Sequence, residues 1–123
     1  MAGFIDRDQW KTFLNEFSKR NQLRATRLEV VGEIGAQEEE EYLPLLGVSF
    51  ETKGDAAGNV EISLGGETAA DPRHLIHSVS NVERIAPLLG TTGLEEGLGI
   101  EDKHAAKTLL IFEALPELPA ATS

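Results

Sequence analysis

Apolar residues near the N-terminus recur at the spacing of an α-helix. Four of them fall at positions i, i+3, i+4 and i+7, on one helical face: Trp10, Phe13, Leu14 and Phe17. Asp6 is a suitable N-cap, because its carboxylate can accept hydrogen bonds from free backbone N–H groups of the first turn. We predict a helix over residues 6–21 whose aromatic face packs into the protein's own core. The alternative, a helix that docks on another protein, requires a large exposed apolar patch, which is rare.

From Leu23 onward apolar and polar residues alternate, which is typical of β-strands. The alternation is clearest in three segments, residues 27–31, 46–53 and 59–66. In the second segment, one face is predicted to carry Leu46, Val48 and Phe50. The short glycine-bounded stretch 54–58 has the length of a hairpin loop. Residues 108–114 are apolar on both faces, which predicts a central strand.

The connections between these strands are too short for helical crossovers, so the sheet is predicted to be antiparallel. The predicted fold class is α+β, with an N-terminal helix packed against a curled antiparallel β-meander, a half-barrel or roll of about six to eight strands. The chain is expected to form a single domain over residues 1–123. The sheet covers residues 23–114, and residues 115–123, with two prolines, form an extended tail.

Four consecutive glutamates, Glu38 to Glu41, precede the second alternating segment. Side chains alternate across a strand, so Glu38 and Glu40 would project to one face and Glu39 and Glu41 to the other. A strand with charge on both faces suits the edge of a sheet, where charges discourage pairing with another chain. The alternatives are an acidic tail and a weak surface Ca²⁺ site at Glu38 and Glu40, and the run lacks a calcium-type loop. We predict a solvated edge strand over residues 37–42.

Composition narrows the classes of function. Asp and Glu outnumber Lys and Arg by 21 to 11, and the formal net charge of −10 makes nucleic acids and anionic membranes poor partners. There is no cysteine, which excludes disulfides, thiolate nucleophiles and cysteine-type zinc sites and fits a cytoplasmic location. The N-terminal residues do not follow the signal-peptide pattern, and no apolar run approaches the roughly 20 residues of a membrane span.

The best candidates for chemistry lie within residues 71–79, which contain Asp71, Arg73, His74, His77 and Ser78. If this segment were a helix, His74 and His77 would share a face and could bind zinc; in a strand they point to opposite faces. The composition of residues 75–79 favours the strand. His77 is then expected on the inner face, and Arg73, His74 and His77 remain weak candidates for a ligand site. We predict no catalytic residues, no metal site and no cofactor.

Four stretches carry a resemblance to a known family. They are W-x-x-F-L-x-E-F-S at 10–18, L-P-L-L-G-V at 43–48, H-L-I-H-S-V at 74–79 and L-L-I-F-E-A at 109–114. In this order they resemble an uncharacterised bacterial family of short single-domain proteins, a domain of unknown function. The resemblance implies no activity and no catalytic residues, but it supports a strand at residues 74–79.

Two classes of function follow from these observations. The first is a non-enzymatic binding or regulatory module that acts through a face or edge of the sheet, with a protein partner or a second copy. The second is a small-molecule site or minor enzyme near His74 and His77, at the open end of the roll. A cavity lined by His77 and further polar side chains favours the second class, whereas a filled interior favours the first.

Overall fold

A computed structural model describes residues 4–32, 35–38, 42–65 and 74–113. A 3-10 turn over Arg7–Gln9 leads into the α-helix α1, Trp10–Arg20. A second 3-10 turn covers Gly54–Ala56. The strands in chain order are β1 Ala25–Gly32, β2 Gly35–Glu38, β3 Leu43–Phe50, β4 Val60–Gly65, β5 His74–Val79, β6 Val82–Leu89, β7 Glu95–Asp102 and β8 Lys107–Phe112.

The described strands form one antiparallel sheet with the order β5-β4-β3-β1-β8-β7-β6, and β2 pairs with β1 outside this path. Strand β8 lies between β1 and β7, which confirms the prediction that the apolar segment near the C-terminus is central. The hairpin β3–β4 is also as predicted, and β7 and β8 form a second hairpin. One N-terminal helix and an antiparallel sheet confirm the α+β class.

The helix starts later than the sequence suggested. Asp6 precedes the 3-10 turn, but its side chain makes no cap hydrogen bond, and α-helical geometry begins only at Trp10. The indole Nε1 of Trp10 donates to the carbonyl oxygen of Ile5 at 3.0 Å, which ties the first described residues to the helix. The predicted N-cap is therefore wrong: the N–H of Gln9 donates to the backbone carbonyl oxygen of Asp6 at 2.8 Å and not to its carboxylate.

The apolar face of the helix packs on the inner face of the sheet. Trp10, Leu14 and Phe17 are buried, while Phe13 is only half-buried at the margin of the core. The Trp10 and Phe50 rings pack edge to face with their centroids 5.3 Å apart. The Phe17 and Phe112 rings are stacked with their centroids 5.8 Å apart. Aromatic pairs in this range contribute beyond the area they bury. The predicted core face is confirmed for three of its four residues.

Ser18 of the helix provides hydrogen-bond partners for backbone groups of β3 where this strand diverges from β1. Strand β3 pairs with β1 only around Leu43 and Pro44. Further along, the Ser18 hydroxyl donates to the carbonyl oxygen of Val48 at 2.9 Å and accepts from its N–H at 2.8 Å. Because buried backbone groups need partners, Ser18 closes the gap that the diverging strands leave.

The alternation predicted for β3 fails at one residue. The register between β3 and β4 shifts between Leu45 and Gly47, so Leu46 is an extra residue in the ladder. A bulge of this kind resets which face each following side chain occupies. Leu45 and Val48 are therefore buried, whereas Leu46 is exposed.

The run of glutamates falls partly outside the described residues. Glu38 ends β2 and lies opposite Glu29 of β1, so the strand is observed at this position. The residues 39–41 are outside the described part, so the edge-strand prediction for them is untested.

Candidate functional site

The outer face of strands β6, β7 and β8, opposite the helix, carries small residues between larger apolar ones. Ala86 lies opposite Gly99, and Leu88 lies opposite Gly97. Gly99 also faces Leu109 on β8. Because cross-strand neighbours share a face, Gly99 leaves a trough between larger side chains on both sides. The nearest side-chain atoms to the missing Cβ of Gly99 are from Leu109 and Leu88, at 3.7 and 3.8 Å.

This trough forms a cavity of about 180 Å³, which we call the outer cleft. Its apolar lining comprises Phe4, Ala86, Leu88, Gly99, Ile100 and Leu109. Phe4 is 61% exposed. The N–H of Ile5 donates to the carbonyl oxygen of Ile85 at 2.8 Å, which holds this N-terminal segment beside β6 and so places the Phe4 ring at the cleft.

One end of the outer cleft is charged. Arg84 lies opposite Glu101, and Glu101 lies opposite Lys107, so the three side chains form a row across the strands. Arg84 and Glu101 form an ion pair at 2.6 Å, and the Arg84 guanidinium stands 5.3 Å from the Phe4 ring centroid. Two cations and one carboxylate leave a local excess of one positive charge, in a chain whose net charge is −10.

The dimensions of the outer cleft limit what it can hold. A water molecule occupies about 30 Å³ of liquid, so the cavity has room for roughly six atoms of carbon size. An engineered apolar cavity of about 150 Å³ is known to hold benzene. The geometry thus suits one aromatic ring or a short alkyl chain, with the charged row at one end.

The residues that the sequence singled out do not line this cleft. Arg73 and Asp71 lie outside the described residues. His74 begins β5 and pairs with Gly65, and His77 pairs with Ile62, whose side chain is buried on the inner face. His77 is half-buried, and burial lowers its pKa by disfavouring the charged imidazolium. The described part of β5 therefore confirms the predicted strand and the inner position of His77.

Within the described residues, no three His, Asp or Glu side chains come together as a metal-binding group. His77 lines neither the outer cleft nor two further cavities of the described residues, one beside Leu46 and one beside Leu94. His104 lies in the turn between β7 and β8, where its backbone N–H donates to the Asp102 carboxylate at 2.8 Å.

A second polar cluster joins the end of the helix to the start of β7. The guanidinium of Arg20 donates two hydrogen bonds to the Glu95 carboxylate, at 3.1 and 2.8 Å. Buried Asn21 donates to the same carboxylate at 2.9 Å, and Arg24 donates to Asn21 at 3.0 Å. Arg20 lowers the pKa of Glu95, and Glu95 in turn raises the pKa of Arg20. These side chains are hydrogen-bonded to one another, which indicates that the cluster holds the end of the helix against the start of β7.

Replacing Glu95 by alanine should lower the free energy of unfolding at pH 7 by about 1–2 kcal/mol, because it removes a carboxylate hydrogen-bonded to Arg20 and Asn21. The lowered pKa of Glu95 means that this stabilisation is present above the unfolded pKa and is lost as the pH falls through the folded pKa. Thermal melts of both proteins between pH 7 and pH 3 should therefore converge in acid. Glu96→Ala, an exposed neighbour, is the control and should change stability by less than about 0.5 kcal/mol at any pH.

The sequence did not predict the outer cleft, because the residues that line it are far apart in the chain. Phe4, Ala86, Gly99 and Leu109 come from four segments, and no local motif connects them. The one local signal was the pair Gly97 and Gly99 within a strand. Glycine inside a strand marks a bulge or a close approach to the backbone.

The fold and the site together define an α+β protein in which the described residues combine one α-helix, an antiparallel sheet and a small apolar cleft on its outer face. No described helix is long and apolar enough to cross a membrane.

The chain belongs to a family of unknown function (DUF5335), whose family model matches residues 2–121. It is similar to an uncharacterised protein of Aquifex aeolicus (strain VF5), with 44% identity over 52 residues. The aligned part covers 42% of this chain and 47% of that protein, so the chain matches about half of the relative's length. No solved structure matches the chain. The predicted resemblance to an uncharacterised bacterial family is confirmed.

Proposed function

We propose that this protein is a non-enzymatic binding module and that the outer cleft is its binding site. The observation that carries the proposal is an apolar cavity of about 180 Å³ whose wall includes a phenylalanine, Phe4, that is 61% exposed. Ligand sites are concave, mostly apolar and carry a few polar groups that fix orientation. The outer cleft has this composition, with Arg84 and Lys107 as the orienting groups.

The filled inner face supports a site on the outside. Trp10, Leu14 and Phe17 occupy the space between helix and sheet, and each is at most 1% exposed. A filled interior was the observation expected for a binding module that acts through the face of its sheet. A ligand site around His77 would instead need a cavity lined by that residue.

The chain path also supports the roll that the sequence predicted. Strands β5 and β6 stand at opposite ends of the strand order, so in a flat sheet they would lie about 29 Å apart. Only residues 80 and 81 separate them in the chain, and three residue steps span at most about 11 Å. We propose that the sheet curls around the helix, with the outer cleft on its convex face.

The ligand class that fits is a small aromatic or short alkyl carboxylate. Its apolar part, about six carbon atoms, would fill the trough over Gly99 between Leu88 and Leu109. Its carboxylate would lie beside Lys107 and Arg84, where the lining carries two cations against the single carboxylate of Glu101. We also propose a cytoplasmic location, which the absence of cysteine from the whole sequence supports.

Calorimetric titration with benzoate tests this proposal, with benzylamine as a probe of similar size and opposite charge. We expect benzoate to bind at one site and benzylamine to bind at least about tenfold more weakly, because the charged row favours an anion. Lys107→Glu should weaken benzoate binding by about tenfold or more. Lys103→Glu makes the same charge change at an exposed residue outside the cleft and should have a much smaller effect.

A substitution at Gly99 in the outer cleft tests the effect of cavity shape on binding without a change of charge. Gly99→Leu places a side chain in the trough. The Cβ of this residue would lie at ordinary van der Waals distances from its neighbours, so the protein should still fold. The leucine side chain would occupy the cavity, so benzoate binding should be lost. Equal affinity for benzoate in the parent protein and in Gly99→Leu would contradict the proposal, as would equal affinity for benzoate and benzylamine.

A further inference from the structure

The two strands at the ends of the sheet are protected very differently. At the edge of β6, the N–H of Ile5 donates to the carbonyl oxygen of Ile85 at 2.8 Å, and Arg7 donates to that of Val82 at 3.4 Å. Strand β6 itself contains Pro87, and its register with β7 shifts by one residue near each end of the strand. Prolines, bulges and a covering segment are the means by which proteins prevent an edge from pairing with another chain.

Within residues 4–32, 35–38, 42–65 and 74–113, strand β5 has none of these features. Its residues His74–Val79 include no proline, aspartate, glutamate, lysine or arginine. The ladder with β4 is regular over six residue pairs, so no bulge bends the strand away. Among the residues that the structure describes, β5 makes backbone hydrogen bonds only to β4. Ile76, at the middle of the strand, is 62% exposed.

We propose that the free edge of β5 pairs with β5 of a second copy of this chain, in antiparallel register about a two-fold axis at Ile76. Such an interface is isologous, because each copy contributes the same strand. Cross-strand partners share a face, so a register centred on one residue places Ile76 against its equivalent and keeps outer-face residues together. The backbone donors and acceptors of both edges are then satisfied.

Charge favours a second copy at this edge. Two chains that each carry a net charge of −10 repel one another wherever carboxylates face carboxylates. Strand β5 contains no carboxylate, so the two copies can meet there without placing like charges opposite each other. Contact between the two exposed Ile76 side chains removes apolar surface from water, which also stabilises the pair.

This inference does not depend on the outer cleft, which lies on β6, β7 and β8. Sedimentation equilibrium of the full chain should give twice the chain mass of 13.3 kDa. Ile76→Lys places a charge at the two-fold axis and should raise the dissociation constant of the dimer by at least about tenfold. Leu94→Lys is the matched control, because Leu94 is 67% exposed and lies outside β5; it should leave the dimer unchanged.

Cross-linking tests the register directly, since the parent chain contains no cysteine. Under oxidising conditions Ile76→Cys should form a disulfide-linked dimer, because the two Cα atoms at the axis fall within disulfide range. Leu94→Cys should remain unlinked. A monomer at every accessible concentration, or a dimer that Leu94→Lys weakens and Ile76→Lys does not, would overturn the proposal.

Discussion

Replacing Phe17 by alanine should lower the free energy of unfolding by about 3–5 kcal/mol, as for other fully buried aromatic residues. The Phe17 side chain has no exposed surface and stacks on Phe112 at 5.8 Å. The substitution removes this contact and leaves a cavity between helix and sheet. Chemical denaturation followed by circular dichroism measures the change.

Lys11→Ala on the exposed side of the same helix is the control. It should change the free energy of unfolding by no more than about 0.5 kcal/mol, because it removes no buried contact. A loss below about 1 kcal/mol for Phe17→Ala would show that the helix is not part of the core.

Replacing Gly97 by alanine should be the most damaging exchange on the outer face, with an expected loss of about 2–3 kcal/mol. A Cβ at this position would overlap the carbonyl oxygen of Leu110 on the neighbouring strand. A backbone atom cannot rotate away as the end of a side chain can, so the strands must separate locally. Thermal and denaturant unfolding give the magnitude.

Gly99→Ala provides the comparison two residues further along the same strand. The nearest atoms to a Cβ at Gly99 lie at 3.7 Å or more, which is ordinary contact. Alanine there should be neutral or stabilise by up to about 1 kcal/mol, through the lower entropy of the unfolded chain. Equal losses at the two glycines would contradict the packing described for β7 and β8.

The sequence predicted the elements whose periodicity reflects burial. The spacing of Trp10, Leu14 and Phe17 located the helix and its inner face, and the alternation of Val60, Ile62 and Leu64 located β4. These patterns are reliable because one face is buried along the whole element. The doubly apolar segment at residues 108–112 likewise indicated a central strand, since β8 has a partner on each side.

Other features depend on contacts between distant segments and left no local signal. Leu46 continues the apolar alternation in the sequence, yet the bulge between β3 and β4 turns it outward. Asp6 looked like an N-cap, yet a 3-10 turn over Arg7–Gln9 follows it and the α-helix begins only at Trp10. The bulge follows from strand pairing that overrides local preference, whereas the 3-10 turn is closed by the backbone hydrogen bond from Gln9 to Asp6.

The candidate site was not predictable for the same reason. The sequence indicated Arg73, His74 and His77 as candidates, because their side chains can carry charge and bind polar ligands. The outer cleft instead combines apolar residues from β6, β7 and β8 with Phe4, and its charged row exists only through the strand register. A site built from ordinary side chains on neighbouring strands becomes visible only after the strands are paired.

The central claim is that ligand binds at the outer cleft and not around His77. Nuclear magnetic resonance of the labelled protein during titration with benzoate tests it most directly, because each backbone amide reports its own surroundings. We expect saturable shifts of amides at residues 84–88, 99–101 and 107–109, near the cleft lining, with little change at His77. Shifts that centre on β5 and His77, or no saturable shifts at any amide, would contradict the account.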